Sequence, residues 1–140
     1  MDVYLDTSVL VSLFTIDALT GRAREFIRTN RPAAVVSDLA ATEFSSVIAR
    51  LTRMGTMDID AARAVLNEFD IWMERRARLM RIETSDFRLA TTFLRRLDLT
   101  LLAPDAIHLA IAQRLGATLA TFDRRMAISA TALGVAVAET

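Results

Sequence analysis

Four acidic residues, Asp6, Glu43, Asp105 and Asp123, stand where strand-like runs give way to turns or helix starts, or where a helix feeding a strand begins. In a parallel sheet those places share one rim, so carboxylates remote in sequence can meet there. Crowded carboxylates repel, and each desolvated anion is costly, so such a group calls for protons or cations. A hard divalent ion resolves the conflict. Magnesium prefers octahedral oxygen ligands, keeps several waters and takes one or two carboxylates directly while others hold its waters. Manganese is a workable substitute. An ion held in this way can orient and deprotonate a water in line with a phosphodiester and stabilise the leaving oxygen. Hydrolysis of a nucleic-acid backbone is the reaction to expect.

Each acid also has a plainer reading. At ~100° per residue, Ala40, Phe44, Val47, Ile48 and Leu51 make one apolar stripe, and Glu43 lies at its margin, as an ordinary partly exposed residue can. Asp6, followed by Thr7 and Ser8, fits an Asx or Ser/Thr turn. Asp105 in the first turn of a helix complements the helix dipole. His108, one turn on, is open to two readings: a ligand or base, or a packed ring hydrogen-bonded to a neighbour. Thr121 and Asp123 also suit a strand end and a helix cap. Asp38, Asp58 and Asp86 sit at helix starts, and Glu68, Asp70 and Glu74 lie on a charged helix, so none of these is assigned chemistry.

The elements that must position these groups follow from the apolar pattern. A chain of 140 residues that is 53% hydrophobic, with mean hydropathy +0.33, suits one compact domain over residues 1–140 with a substantial core. Val3-Tyr4-Leu5 reads as a buried strand ended by Asp6. A helix is predicted from Gly21 to Asn30, then a turn at Pro32 and a strand over Ala33-Ala34-Val35-Val36. Ser37 or Asp38 caps a helix to about Arg53, ended by Gly55, and Asp58 opens an arginine-rich helix to about Arg78. Leu79 to Ile82 is the third strand, Thr84 caps a helix to Leu97, and Pro104 sits in the first turn of the next helix, closed by Gly116. Ala117 to Thr121 is the fourth strand and Gly134 to Val137 a short fifth. Strands alternating with helices predict an α/β fold, a three-layer α/β/α sandwich around a parallel sheet of four to five strands. Right-handed crossovers then bring all four acids to one edge.

Composition excludes several classes. Net charge is zero, from 17 acids and 17 bases, so no global field points to nucleic acid or an anionic membrane, and any polyanion contact must be local. All 17 bases are arginine, a pattern that coding bias explains more readily than selection for phosphate forks. With no cysteine, disulfides, thiol catalysis and sulfur-ligated zinc are excluded, in keeping with a reducing compartment. The amino terminus lacks a signal-type pattern, and no apolar run reaches the ~18 residues that span a bilayer. The expected location is the cytoplasm, with no membrane partner. The absence of lysine also weakens aspartyl-nucleophile phosphatases of the haloacid-dehalogenase type and receiver domains, which neutralise a phosphoryl group with lysine. The phosphatases also want a second Asp where this chain has Ser8. No Gly-rich loop precedes a helix, so Walker or Rossmann nucleotide sites have no support.

Taken in order, Tyr4-Leu5-Asp6-Thr7-Ser8, Ser37-Asp38-Leu39-Ala40-Ala41-Thr42-Glu43, Pro104-Asp105-Ala106-Ile107-His108-Leu109-Ala110 and Ala120-Thr121-Phe122-Asp123-Arg124-Arg125-Met126 resemble the motifs of PIN-domain ribonucleases, particularly VapC-type toxins of toxin–antitoxin pairs. The resemblance spans essentially the whole chain. It implies a PIN-like fold, cleavage of RNA dependent on Mg²⁺ or Mn²⁺, a homodimer or a higher toxin–antitoxin assembly, and inhibition by a small antitoxin protein. By position it implies that Asp6, Glu43, Asp105 and Asp123 form the acidic quartet. Asp6 and Asp105 would be direct metal ligands, Asp123 a ligand directly or through water, and Glu43 the water orienter or general base. Ser8 and Thr121 would support the acids, and Arg124 and Arg125 would either hold RNA phosphates or be ordinary surface residues. Leu13, Phe14 and Ile16 would form a dimer seam or antitoxin groove, or simply pack the core. Two other readings stand beside it: a non-catalytic RNA- or protein-binding module on the same fold, and a DNA-directed or structure-selective nuclease.

Overall fold

The computed structural model describes residues 1–140 as β1 (Asp2–Leu5), α1 (Thr7–Phe14), α2 (Thr20–Asn30), β2 (Ala33–Ser37), α3 (Asp38–Arg53), α4 (Ile59–Arg76), β3 (Ala77–Met80), α5 (Thr84–Leu94), α6 (Ala103–Leu115), β4 (Thr118–Ala120) and α7 (Arg124–Ala132). The four strands form one parallel sheet in the order β3-β2-β1-β4. From β1 the chain winds outward through β2 to β3, then crosses back to place β4 on the other side of β1. The strand order therefore reverses between β1 and β4, where open α/β sheets bind ligands outside the carboxyl ends of their strands.

Alternating side chains divide the core between the two sheet faces. Tyr4, Val35 and Leu119 face α5, α6 and α7, packing with Ala90, Phe93, Leu109 and Met126. Val3, Leu5, Ala34, Val36 and Ala120 face α1 to α4, packing with Leu10, Phe26, Phe44 and Phe69. Phe44 stacks on Phe69 with ring centres 4.2 Å apart, and Phe14 meets Phe44, Phe69 and Trp72 edge-on. Core packing thus accounts for Phe14, whereas Ile16 is exposed. The result is the expected three-layer α/β/α sandwich.

Most predicted boundaries hold because their capping chemistry is local. Ser37 Oγ accepts from Ala40 N–H to start α3, and Asp58 does the same for Ala61 N–H at α4. Gly116 ends α6 in the left-handed conformation, φ 60°, and turns the chain directly into β4. That tight turn makes α6 antiparallel to β4 and returns its amino end to the rim. Three expectations require correction. β3 starts at Ala77, not Leu79, because its register is set by pairing of Ala34 with Ala77 and Ser37 with Met80. The helix expected to reach Leu97 ends at Leu94, and Leu97 turns away at φ 65°. The short fifth strand is a single parallel bridge of Val137 to Leu119.

One buried ion pair ties α5 to α6. Asp86 is fully enclosed and accepts two hydrogen bonds from Arg114, Nε at 2.7 Å and Nη2 at 2.9 Å, as well as one from Glu83 N–H. Arg114 also donates to Glu83 and to the Arg81 carbonyl, so its guanidinium closes the start of α5 against α6.

Candidate active site

Asp6 follows the last residue of β1, and its backbone N–H still donates to the Ala120 carbonyl of β4, 3.2 Å away. Its side chain is only 4% exposed. Oδ1 accepts from Ser8 Oγ at 2.7 Å and from Val9 N–H at 3.1 Å, which caps α1, while Oδ2 accepts from Thr121 Oγ at 2.5 Å. Ser8 in turn accepts from Phe122 N–H, and Thr121 accepts from Asp123 N–H at 2.9 Å. Two hydroxyls therefore stitch the ends of β1 and β4 together through the Asp6 carboxylate. Burial pushes the Asp6 carboxyl above the usual aspartate range, and the hydrogen bonds from Thr121, Ser8 and Val9 draw it back.

A second group lies where α3 meets α6. Glu43 Oε1 accepts from Thr7 Oγ at 2.9 Å and contacts His108 Nε2 at 2.5 Å. His108 Nδ1 lies 2.6 Å from the Tyr4 hydroxyl, which lies 2.6 Å from Ser37 Oγ. Tyr4 and Ser37 are wholly buried and His108 nearly so. Burial raises the Tyr4 phenol far above its ordinary range, so it stays protonated. The Glu43 carboxyl sits below the usual glutamate range. Its partial burial works the other way, but the hydrogen bond from His108, the charge His108 carries when protonated and the Thr7 hydroxyl together outweigh it. Thr7 follows Asp6 directly in the chain, so the two groups are adjoining parts of one rim.

Asp105 and Asp123 are more open. Asp105 Oδ2 accepts from Leu102 N–H at 3.2 Å at the start of α6, and Asp123 Oδ1 accepts from Arg125 N–H and Met126 N–H to cap α7. The other oxygen of each has no protein partner. Arg124 and Arg125 are exposed beyond Asp123, and Arg124 lines a shallow groove with Arg22, Phe122 and Asp123. The Arg22 guanidinium lies over the Phe122 ring.

No three acidic or histidine side chains come close enough to enclose a metal ion. Asp6, Asp105 and Asp123, expected from the sequence as metal ligands, are therefore not drawn together as one preformed ligand set. The donor chemistry of the rim is that of a hard cation that retains water, which takes one or two carboxylates directly. The charge balance points the same way. Of 17 arginines, none forms an ion pair with Asp6, Glu43, Asp105 or Asp123. The buried Asp6 carboxylate thus has neutral hydrogen-bond donors and no arginine beside it, and Asp105 and Asp123 each keep one oxygen free of protein donors.

The sequence reading of His108 as a packed ring hydrogen-bonded to a neighbour holds, but the extension of that bond through Tyr4 to Ser37 is not legible in the sequence. Tyr4 reads there as one more apolar strand residue and Ser37 as a cap. The available signal was that a tyrosine inside a buried strand needs a partner for its hydroxyl, and that the only histidine in the chain lies one helical turn from Asp105.

A family model described as the PIN domain matches residues 3–131. Ribonuclease VapC46 of Mycobacterium tuberculosis is 36% identical over 138 residues, covering 96% of this chain and 95% of its own. Among solved structures, VapC20 of Mycobacterium tuberculosis, a toxin that cleaves the sarcin-ricin loop, superposes with a TM-score of 0.76 at 21% identity, covering 99% of both chains. VapBC2 from Rickettsia felis, bound to a DNA fragment from its promoter, gives a TM-score of 0.68 at 14% identity, covering 99% of this chain and 98% of that one.

Proposed function

The chain belongs to the PIN domain family, and from that premise we propose that it is a metal-dependent endoribonuclease, the toxin of a toxin–antitoxin pair. The observation that carries this reading is the buried Asp6 carboxylate at the crevice between β1 and β4, held by hydroxyl and amide donors with no arginine beside it. The likeness to Ribonuclease VapC46 over nearly the whole of both chains supports RNA as the substrate. The fold shared with the VapBC2 complex supports a small antitoxin as partner.

On this reading Asp6 and Asp105 hold Mg²⁺, or Mn²⁺ in its place, with Asp123 contributing directly or through a water. When bound, such an ion supplies Lewis-acid stabilisation of the phosphodiester and lowers the pKa of water. The chain's own groups do the rest. Glu43 presents its unpartnered Oε2 to the attacking water. Ser8 and Thr121 fix Asp6 in one orientation. Arg124 and Arg125 hold RNA phosphates beside the rim. No helix is long and apolar enough to cross a membrane, which fits action in the cytoplasm, and a homodimer fits the family.

The direct test is cleavage of RNA by the purified protein in the presence of Mg²⁺. EDTA and Asp6→Asn should each abolish cleavage while leaving the circular dichroism spectrum unchanged. Cleavage that survives in Asp6→Asn would show that the rim is not the active site. Parallel digestion of RNA and DNA separates a ribonuclease from a DNA-directed enzyme, and absence of cleavage of either would leave a binding module.

A further inference from the structure

We propose that Ser37, Tyr4 and His108 form a one-way chain of hydrogen-bond donors that holds Glu43 in a single orientation, making His108 a positioning residue. The inference rests on the reading of Glu43 as the group that orients water, and it adds the device that sets its geometry.

The direction of the chain follows from counting protons. Ser37 Oγ already accepts from Ala40 N–H, 3.0 Å away, so its own hydrogen must go elsewhere. The neighbouring oxygen is the Tyr4 hydroxyl at 2.6 Å. If Ser37 donates to Tyr4, Tyr4 donates to His108 Nδ1, also at 2.6 Å. His108 then carries its proton on Nε2 and donates it to Glu43 Oε1 at 2.5 Å. Every contact holds one proton, and no buried polar side-chain atom is left without a partner.

The reverse direction fails at both ends. With the proton on Nδ1, the Nε2 lone pair would face a carboxylate lone pair, and the Ser37 hydrogen would have no acceptor in a site with no exposure. A doubly protonated ring would keep the Glu43 contact but would also strand the Ser37 hydrogen. A backbone amide at the start of α3 thus fixes, through three side chains on β2, β1 and α6, which nitrogen of His108 faces Glu43.

The consequence falls on Glu43, whose side chain is 32% exposed and on a long, flexible stem. Thr7 and His108 both donate to Oε1, from α1 and α6, and leave Oε2 without a protein partner. Two donors from different elements on one oxygen set the plane of the carboxylate, so that Oε2 projects from the rim in a fixed direction. Such preorganisation matters because a displacement of about 1 Å can cost on the order of 100-fold in rate.

The chain contains a single histidine, so proton–nitrogen correlation spectra of labelled protein report on His108 alone. The wild type should show a protonated Nε2 and an imine-type Nδ1, and Tyr4→Phe should lose that pattern while remaining folded. A wild-type ring protonated on Nδ1, or a Tyr4→Phe spectrum identical to wild type, overturns the proposal without reference to RNA. Cleavage by substituted proteins tests the positioning. Glutamine places an amide donor where Nε2 stood, whereas asparagine reaches only toward Nδ1 and Tyr4. His108→Asn and His108→Leu should therefore lose on the order of 10- to 100-fold in kcat, and His108→Gln should recover most of that loss. Equal losses in Asn and Gln would mean that the ring only fills space. If the protein cleaves nothing, the Glu43 carboxyl carbon signal decides instead: it must move in His108→Asn and stay near its wild-type position in His108→Gln.

Discussion

Thr121 joins the two strand ends of the rim through a single hydroxyl, so Thr121→Val, which preserves shape and deletes that group, isolates its contribution. In the native structure Oγ donates to Asp6 Oδ2 at 2.5 Å and accepts from Asp123 N–H at 2.9 Å. A hydrogen bond to an ionised acceptor contributes ~1.5–3 kcal/mol. Asp6 is buried, so water does not replace this one, whereas the amide of the exposed Asp123 can be resolvated at little cost. A loss of about 2 kcal/mol near neutral pH is expected, or roughly 4–8 °C in Tm for a chain of this size. The loss should depend on pH with a definite sign. The Asp6 carboxyl already sits above its ordinary value because of burial, and the Thr121 bond is one of the contacts drawing it back. Removing that bond raises it further. A carboxyl raised in the folded state lets the unfolded chain release its proton first, so stability falls as pH climbs from the unfolded value of about 3.9 through the folded one. The difference between Thr121→Val and wild type should therefore be largest at neutral pH and shrink toward acid. Urea unfolding across that range measures it, with Thr121→Ser as the control that keeps the hydroxyl and loses about one methyl's worth of packing. A difference that does not vary with pH, or a serine variant as unstable as the valine one, would refute the reasoning.

Two further predictions concern the scaffold, and one the chemistry. Asp86→Ala leaves the partly buried Arg114 guanidinium without its two-pronged partner, and urea unfolding should show a loss of about 3 kcal/mol, the lower part of the range for breaking a buried pair. Gly116→Val forces a β-branched residue to φ 60°, so about 1–2 kcal/mol should be lost in the same assay even though nothing would crowd the new side chain. Mg²⁺ added to the RNA cleavage assay should restore activity after EDTA, whereas Asp105→Asn should blunt that restoration; full recovery in Asp105→Asn would remove it from the proposed ligands.

The layers were legible from sequence because their signals are local. A run such as Ala33-Ala34-Val35-Val36 and a serine cap at Ser37 place β2 and α3 within a residue of where they stand. β3 lies two residues earlier than the pattern predicts because it is an edge strand whose Arg78 and Leu79 are both exposed, so no burial periodicity marks it and only pairing with β2 defines it. The rim shows the same division. Asp6, Asp105 and Asp123 are each found where a strand ends or a helix begins, and each caps a helix or bonds its first turn, so the plainer and the chemical readings of these acids coexist in one residue. What no local pattern contains is the line from Ser37 through Tyr4 and His108 to Glu43, which exists only after β1, β2, α3 and α6 are packed.

Asp6 and Glu43 are driven in opposite directions, and that division bears on their proposed roles. Asp6 is buried among neutral donors and its carboxyl is raised, so its anion is the one that gains most from a cation placed beside it. Glu43 is half open, and although burial works the other way, the hydrogen bonds from His108 and Thr7 favour its ionised form. Environments that push neighbouring carboxyls apart are how one site separates two duties. A carboxylate that is hard to protonate is a weak proton acceptor, because the efficiency of a general base falls as its pKa drops away from the working pH. It remains a strong hydrogen-bond acceptor. Of the two duties open to Glu43, orienting a water therefore suits its surroundings better than removing that water's proton, and a cation held beside Asp6 would supply the lowering of the water's pKa.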